Sequence, residues 1–176
     1  MNWNNEKEVL DMVGYNGLYL ENVSNRLKEN EEITRKAINN DCFALEFASK
    51  EFKNNKDIVR SAVIQDSLSF RYASNELKND KEFVIELMND KYFLESYNKN
   101  LFRHYKNFLY CISDELKNDK DIMLQIYSNK VFDKEETDCL MVKFLNTSTE
   151  LKNDKDFVLD VITTLGPDSL FLKDIY

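Results

Sequence analysis

The sequence Glu-Leu-Lys-Asn-Asp-Lys occupies residues 76–81 and recurs without change at residues 115–120 and 150–155. Looser copies lie at residues 26–31 and 51–56, and a fragment lies at residues 3–7. A hexapeptide that returns in the same order within 176 residues marks an internal structural repeat. We call this hexapeptide the signature.

The repeat has a basic period of about 25 residues, measured from one apolar position in each copy. That position is filled by Val9, Ile33, Ile58, Phe83, Ile122 and Phe157. The spacings are 24, 25, 25, 39 and 35 residues, so the fourth and fifth units carry insertions. The predicted units lie near residues 3–26, 27–51, 52–76, 77–115, 116–150 and 151–176, within a single helical-repeat domain over residues 1–176.

Each unit is predicted to begin with a helix capped by an asparagine. Asn79 is a good N-cap residue, and Glu82 follows at capping-box spacing. Asn54, Asn118 and Asn153 repeat the arrangement. Apolar residues then follow at i, i+1, i+4 and i+5, which form one helical face. They are Phe83, Val84, Leu87 and Met88 in one unit, Ile122, Met123, Ile126 and Tyr127 in the next, and Phe157, Val158, Val161 and Ile162 in the last.

A second helix is predicted after a polar break, as at residues 39–41 and 65–67. Its apolar positions include Leu45, Ala48 and Phe52. Because such short helices are marginal alone, the units must stack on one another. The predicted fold is therefore all-α: a right-handed α-solenoid-like stack of about six short antiparallel helix hairpins, two of them with insertions.

The composition agrees with helices and limits the partners. Three glycines and one proline are too few for a β-sandwich or barrel, which needs frequent turns. A formal net charge of −8 makes nucleic acid an unfavourable general partner. No signal peptide or membrane-spanning stretch is recognisable, so we expect a cytoplasmic protein. The three widely spaced cysteines, Cys42, Cys111 and Cys139, are expected to be buried thiols.

The signature and its surroundings resemble the repeats of a known family. Leu-Lys-Asn-Asp-Lys is followed by Asp or Glu, then Phe or Ile, then Val or Met, and related Ala-Ser motifs lie at residues 45–49 and 70–74. This pattern is similar to the family called domain of unknown function 4116, most closely over residues 25–90, and recurs at residues 113–127 and 148–162. The resemblance implies helical repeats and carries no assigned activity.

The first insertion, within residues 91–113, is the main candidate for a binding site, because insertions in repeat arrays often carry function. It is rich in aromatic residues, and residues 91–112 carry a local charge of +3. Six apolar residues at helical spacing are assigned to the core face of a long helix: Leu94, Tyr97, Leu101, Tyr105, Phe108 and Ile112. Five residues that lie off this face are the predicted partner-binding surface: Tyr92, Lys99, Phe102, Arg103 and Lys106.

The second insertion contains an acidic cluster with a net charge of −3 over residues 133–138. Its acidic members are Asp133, Glu135, Glu136 and Asp138. The cluster is interpreted either as a solvated helix start or as a patch aimed at a basic partner. It lacks the glycine and closing glutamate of a calcium-binding loop, so no metal site is predicted.

Residues for catalysis are not recognisable in the sequence. His104 is the only histidine, and no acidic residue stands three or four positions from it. Cys111 is about 10 Å away along a helix, beyond hydrogen-bond reach. There is no glycine-rich phosphate loop. We therefore expect a non-enzymatic protein without a cofactor.

The leading hypothesis is a protein–protein interaction module built from α-helical repeats. One alternative is a small acidic inhibitor, similar in action to an immunity protein or a blocker of a nucleic-acid enzyme, which occupies a basic groove on its target. A second alternative is binding of single-stranded nucleic acid through the aromatic and basic insertion. The oligomeric state and the identity of the partner are left open.

Overall fold

The computed structural model describes the backbone of residues 2–95, 101–128 and 143–166, and their side chains except those of residues 94–95 and 101–105. Within these ranges the secondary structure is helical and contains no β-strand. The chain divides into two compact units, residues 1–96 and 97–176. The predicted all-α fold is confirmed, whereas the handedness of the stack and the single domain stay predictions.

The amino-terminal unit contains three complete repeats, each made of an α-helix, a 3-10 helix and a short α-helix. The long helices are α1 (Glu6–Tyr15), α3 (Glu31–Asn40) and α5 (Lys56–Gln65). The 3-10 helices are η1 (Gly17–Asn22), η2 (Cys42–Phe47) and η3 (Ser67–Tyr72). The short helices are α2 (Asn25–Lys28), α4 (Lys50–Lys53) and α6 (Asn75–Lys78). A fourth repeat begins with α7 (Lys81–Asn89), which is followed by α8 (Lys91–Glu95).

The carboxyl-terminal unit repeats the same pattern of long and short helices. They are α9 (Leu101–Cys111), α10 (Asp114–Lys117), α11 (Lys120–Ser128), a helical segment at residues 143–146, α12 (Thr149–Asn153) and α13 (Lys155–Leu165). Gly166 follows α13 with a φ of 61°, a left-handed conformation that glycine adopts at low cost.

Successive repeats of the amino-terminal unit pack side by side in two layers. In one layer α1 packs on α3 and α3 packs on α5, while in the other η1 packs on η2 and η2 on η3. The apolar faces between the layers are buried, including Val9, Ile33, Ile58 and Phe83. This order, in which each repeat contacts its sequence neighbours, is the packing that the repeat pattern predicts for this unit.

The predicted apolar faces of the later helices are also buried. Phe83, Val84, Leu87 and Met88 of α7 and Ile122, Met123, Ile126 and Tyr127 of α11 are at most 4% exposed. In α13, Phe157 and Val161 are buried, whereas Val158 and Ile162 are half-buried. The spacing of apolar residues therefore identified the core side of each long helix.

The second element of the three complete amino-terminal repeats is not the single α-helix that the sequence predicts. It is a 3-10 helix, a bend and a four-residue α-helix, as in η3 and α6. At the bend, Ala73 and Ser74 are extended, with ψ values of 160° and 157°. The Ser74 hydroxyl accepts a hydrogen bond from the Leu77 N–H, so the serine starts a new helix and ends the old one. Ser49, Ser113 and Ser148 cap the corresponding short helices.

The predicted N-caps of the long helices are wrong by one residue. Asp80, rather than Asn79, accepts the hydrogen bond from the Phe83 N–H. Asn79 instead ends the short helix, where its N–H bonds back to carbonyls of that helix. The same shift makes Asn55, Asp119 and Asp154 the acceptors in the other copies. Since Phe83 occupies the third helical position, Glu82 cannot complete the predicted capping box.

The signature forms the corner where one repeat meets the next. The Ser74 N–H donates to the Lys53 carbonyl of the preceding repeat at 2.9 Å, and the Ser148 N–H donates to the Lys117 carbonyl at 3.0 Å. The hydroxyls of these serines also bond to the side-chain oxygens of Asn54 and Asn118. The recurring Lys and Asn of the signature are therefore accounted for by helix caps and contacts between repeats.

Candidate functional site

The predicted partner-binding surface is described in part. Tyr92 is 66% exposed at the start of α8, and Lys106 is exposed on α9. Phe102 and Arg103 lie in the helical backbone of α9, but their side chains are outside the described residues, as is all of Lys99. The acidic residues Asp133, Glu135, Glu136 and Asp138 also lie outside the described part of the chain.

The predicted core face of the first insertion is partly confirmed. Phe108 and Ile112 are buried as expected, and Leu109 and Phe93 are buried as well. Tyr97 and the side chains of Leu94, Leu101 and Tyr105 lie outside the described residues. The described helices α8 and α9 flank residues 96–100, so a single long helix through the insertion stays a prediction.

Two exposed apolar side chains occupy the same position in neighbouring repeats of the carboxyl-terminal unit. Tyr110, in the last turn of α9, is 74% exposed, and Leu145 is 65% exposed. Each stands three residues before the serine that caps the next short helix, Ser113 or Ser148. We call Tyr110 and Leu145 the apolar column.

The amino-terminal repeats have charged side chains at this position. The residues three before Ser24, Ser49 and Ser74 are Glu21, Glu46 and Arg71, and all three are exposed. The position thus faces solvent in every described repeat. Its residues lie in 3-10 helices in the amino-terminal unit and in α-helical segments in the carboxyl-terminal unit, and they are charged in the first and apolar in the second.

A lysine ammonium group lies beside each member of the apolar column. The Lys117 ammonium donates to the Tyr110 carbonyl at 3.2 Å and lies 5.8 Å from the centre of its ring. The Lys152 ammonium donates to the Leu145 carbonyl at 3.3 Å and lies 5.0 Å from the centre of the Phe144 ring. Both distances to the rings are within the range of cation–π attraction.

The same lysine contact occurs in the first repeat, where the Lys28 ammonium donates to the Glu21 carbonyl at 2.8 Å. The contact joins a lysine to the carbonyl seven residues earlier, across the bend at the serine. The third residue of the signature, which we call the signature lysine, therefore has a structural role. In the carboxyl-terminal unit it also places a cation next to an apolar side chain.

The corners that support the apolar column are bonded to each other. Besides the Ser148–Lys117 bond, the Asn118 side-chain amide donates to a Glu150 carboxylate oxygen at 2.6 Å. Tyr110 and Leu145 therefore stand at the same sequence distance from two corners that are bonded to each other.

A second position varies between the repeats. Two residues after each repeat's reference apolar residue, the amino-terminal unit has Asp11, Arg35, Arg60 and Ile85, and the carboxyl-terminal unit has Leu124 and Leu159. Leu159 is 59% exposed and Leu124 is half-buried. Arg60 is paired with Glu86 at 2.8 Å, a contact that leucine cannot make. Leu159 is therefore a further exposed apolar side chain of the carboxyl-terminal unit, outside the apolar column.

Sequence reasoning missed the apolar column. Tyr110 lies within the aromatic first insertion and Leu145 lies after the second, and neither belongs to the predicted partner-binding surface. Aligning the repeats on the signature lysine would have found both, since the residues seven positions earlier are Glu21, Glu46, Arg71, Tyr110 and Leu145. The charged members indicate that this position faces solvent.

Among the described residues, no group of three or more His, Cys, Asp or Glu side chains could hold a metal ion. Cys42 and Cys111 are buried. Burial, together with the carboxylates of Asp66 and Asp41, raises the pKa of Cys42 to about 11, which suppresses the reactive thiolate. Within the described residues, none of the helices is both long and apolar enough to cross a lipid bilayer.

A family model with the description "Domain of unknown function (DUF4116)" matches three overlapping segments, residues 5–53, 30–77 and 55–102. Their starting points are 25 residues apart, so each match covers two consecutive repeats. No curated protein and no solved structure matches the chain. The matched residues make up more than half of the 176 in the chain. The chain therefore belongs to the DUF4116 family, whose repeats here are helical.

Proposed function

We propose that this protein is a non-enzymatic protein–protein interaction module that binds its partner through the apolar column. The observation that carries the proposal is the replacement of exposed charges by Tyr110 and Leu145 at one repeated position. Single exposed apolar residues are common on protein surfaces and need no explanation. Two at equivalent places in neighbouring repeats, on corners bonded to each other, form an ordered apolar surface.

The chemistry of the column suits a protein interface. Burying an exposed leucine or aromatic side chain contributes about 1.5–3 kcal/mol. Tyrosine is enriched among the residues that dominate binding energy, because its rigid ring offers a large contact area together with a polar hydroxyl. The neighbouring lysines suit the polar rim that surrounds such contacts.

The acidic-inhibitor alternative has one supporting observation. An exposed acidic residue stands in the first turn of the long helices α3, α5, α7, α11 and α13: Glu32, Asp57, Glu82, Asp121 and Asp156. Favourable interaction with the helix dipole accounts for acids at this position without a partner. If these acids bind a basic groove, the affinity falls steeply with added salt and does not depend on the apolar column.

The test is a comparison of proteins captured by three immobilised full-length chains and identified by quantitative mass spectrometry. The first is the natural chain, and the second carries Tyr110→Glu and Leu145→Glu. The third carries Asn25→Glu and Asn75→Glu, which add the same charge at exposed positions of the amino-terminal unit. Circular dichroism and thermal unfolding establish that all three chains are folded.

We expect the proteins enriched by the natural chain to be retained by the asparagine variant and lost from the Tyr110 and Leu145 variant. Equal capture by all three chains would remove the apolar column as the binding surface. Loss from both variants would show that added negative charge alone prevents capture. That result would contradict both the apolar column as the specific binding surface and the acidic-inhibitor alternative, whose basic target should bind a more acidic chain at least as well.

A further inference from the structure

The helix that carries Tyr110 differs in charge from the other long helices. Among the described helices of eight or more residues, α9 alone contains neither Asp nor Glu. It contains Arg103, His104 and Lys106 instead. Lys106 is exposed and stands one helical turn before Tyr110, so the two side chains share one face of α9.

Cations therefore flank the apolar column on both repeats. Lys106 precedes Tyr110 on α9, the Lys117 ammonium lies beside the Tyr110 ring, and the Lys152 ammonium is bonded to the Leu145 carbonyl. Lys117 also pairs with Asp114 at 3.3 Å. The side chain of Asp114 is fully solvated, which makes this pair weak and easily exchanged for another carboxylate.

The environment of Lys152 favours the approach of an anion. Desolvation by burial lowers the pKa of its ammonium group, which means that the charged form is less well solvated than in water. A carboxylate placed beside it offsets part of that lost solvation. A basic side chain at the same place would instead repel the Lys152 ammonium group.

We infer that the partner binds the apolar column with an acidic amphipathic segment, whose apolar side chains cover Tyr110 and Leu145 and whose carboxylates lie beside Lys106, Lys117 and Lys152. This inference rests on the proposed function and adds the chemistry of the partner. The net charge of −8 does not oppose it at short range, because distant charges are screened within about 8 Å at physiological ionic strength.

The experiment selects peptides from a displayed random library on the full-length chain, with counter-selection on the Tyr110→Glu, Leu145→Glu variant. The net charge and apolar content of the enriched peptides are the first result. Affinities of the enriched peptides are then measured by fluorescence anisotropy for the natural chain, for Lys106→Glu and for Lys50→Glu. Lys50 is exposed in the amino-terminal unit and provides the matched change of charge.

We expect enriched peptides to be acidic and to contain large apolar residues. Lys106→Glu should weaken their binding about fivefold, as the loss of one rim charge pair of about 1 kcal/mol requires. Lys50→Glu should leave the affinity unchanged.

Three results would overturn the inference. Enrichment of basic or uncharged peptides that still need Tyr110 and Leu145 would refute the acidic partner and leave the proposed function standing. Failure to enrich any peptide over the counter-selecting variant would refute peptide docking at the column, while the capture experiment judges the proposed function separately. Displacement of enriched peptides by a single-stranded oligonucleotide would assign the surface to nucleic acid instead.

Discussion

The backbone N–H of Ser74 donates a hydrogen bond of 2.9 Å to the carbonyl oxygen of Lys53, the signature lysine of the preceding repeat. The Ser74 hydroxyl in turn caps the next short helix through the Leu77 N–H. One residue therefore ends a bend, starts a helix and joins two repeats. The same pair of contacts at Ser148 shows that this corner is the repeated structural element of the fold.

Substitutions at Ser74 should separate the contacts of its hydroxyl from the backbone contact between repeats. Ser74→Ala removes the hydroxyl, and with it both the cap and the bond to Asn54, and should lower the free energy of unfolding by about 1 kcal/mol. Ser74→Pro also removes the N–H, while the φ of −60° at this residue suits proline. We expect the proline variant to lose a further ~1 kcal/mol, because the Lys53 carbonyl is left without its donor. Urea unfolding of both variants measures the difference, and equal stabilities would show that the contact between repeats contributes nothing.

Gly17 should tolerate no larger residue, because the first two repeats approach closely there. A Cβ atom at Gly17 would lie 2.2 Å from the Ala37 carbonyl oxygen, which belongs to the backbone. The Gly17 N–H also donates to the Asn40 side chain at 2.7 Å, so the backbone at Gly17 cannot move away freely. We expect Gly17→Ala to lower the free energy of unfolding by about 1–3 kcal/mol.

Gly14→Ala is the matched control for that substitution. Its Cβ would meet only the end of the flexible Lys36 side chain, which can rotate away. The change should therefore alter stability by less than about 1 kcal/mol, since alanine also has the higher helix propensity. If both alanine variants unfold at the same urea concentration, close approach at Gly17 is not a constraint on the fold.

Much of this fold follows from the sequence, and the errors have physical causes. The apolar position that recurs from Val9 to Phe83 gave the period and the buried faces correctly. The N-cap was misplaced because Asn79 and Asp80 are both good caps, and sequence alone does not show which is extended. The second helix was misread because a 3-10 helix and an α-helix both place apolar residues three positions apart.

The apolar column was harder to predict than the core. Tyr110 stands in a stretch so rich in aromatic residues that apolar character alone does not separate exposed residues from buried ones. Leu145 has no such context and reads as an ordinary core leucine. Their exposure becomes evident only when their position is compared with Glu46 and Arg71, where burial of a charge would be costly.

Asp80 should stabilise the fold both as a helix cap and through its ion pair with Lys56, and only the ion pair depends on the charge of Asp80. Its hydrogen bond with the Lys56 ammonium at 2.7 Å, helped by the Phe83 N–H, lowers the pKa of Asp80. A lowered native pKa stabilises the fold above the unfolded value of about 3.9, and this contribution is lost as the pH falls through the native pKa. The same pair raises the pKa of Lys56, so its contribution is lost at the alkaline end as the pH rises through that native pKa.

Asp80→Asn keeps the cap and removes the charge, as Asn55 does naturally in an earlier repeat. We expect it to cost less than about 1 kcal/mol at pH 7, because the pair is partly exposed, and less at pH 2 than at pH 7, because the carboxylate becomes protonated as the pH falls through its native pKa. Asp80→Ala also removes the cap and should stay less stable than the natural chain at both pH values. Urea unfolding at pH 7 and pH 2 provides the comparison, and an Asp80→Asn deficit that persists at pH 2 would exclude the charge as its cause.

Cys42 should react slowly with thiol reagents in the folded protein. Burial and the nearby Asp66 and Asp41 carboxylates raise its pKa to about 11, against an ordinary value of 9.0. At pH 8 the thiolate fraction is then about a hundredfold below that of an ordinary cysteine. The measurement is the rate of alkylation by iodoacetamide in a chain with Cys111→Ala and Cys139→Ala, so that Cys42 is the single thiol. Asp66→Asn keeps the acceptor for the Leu68 N–H, and it should lower the pKa of Cys42 and speed alkylation. If the chain with Cys42 as its single thiol reacts as fast without urea as it does when unfolded in urea, Cys42 is accessible and the prediction is wrong.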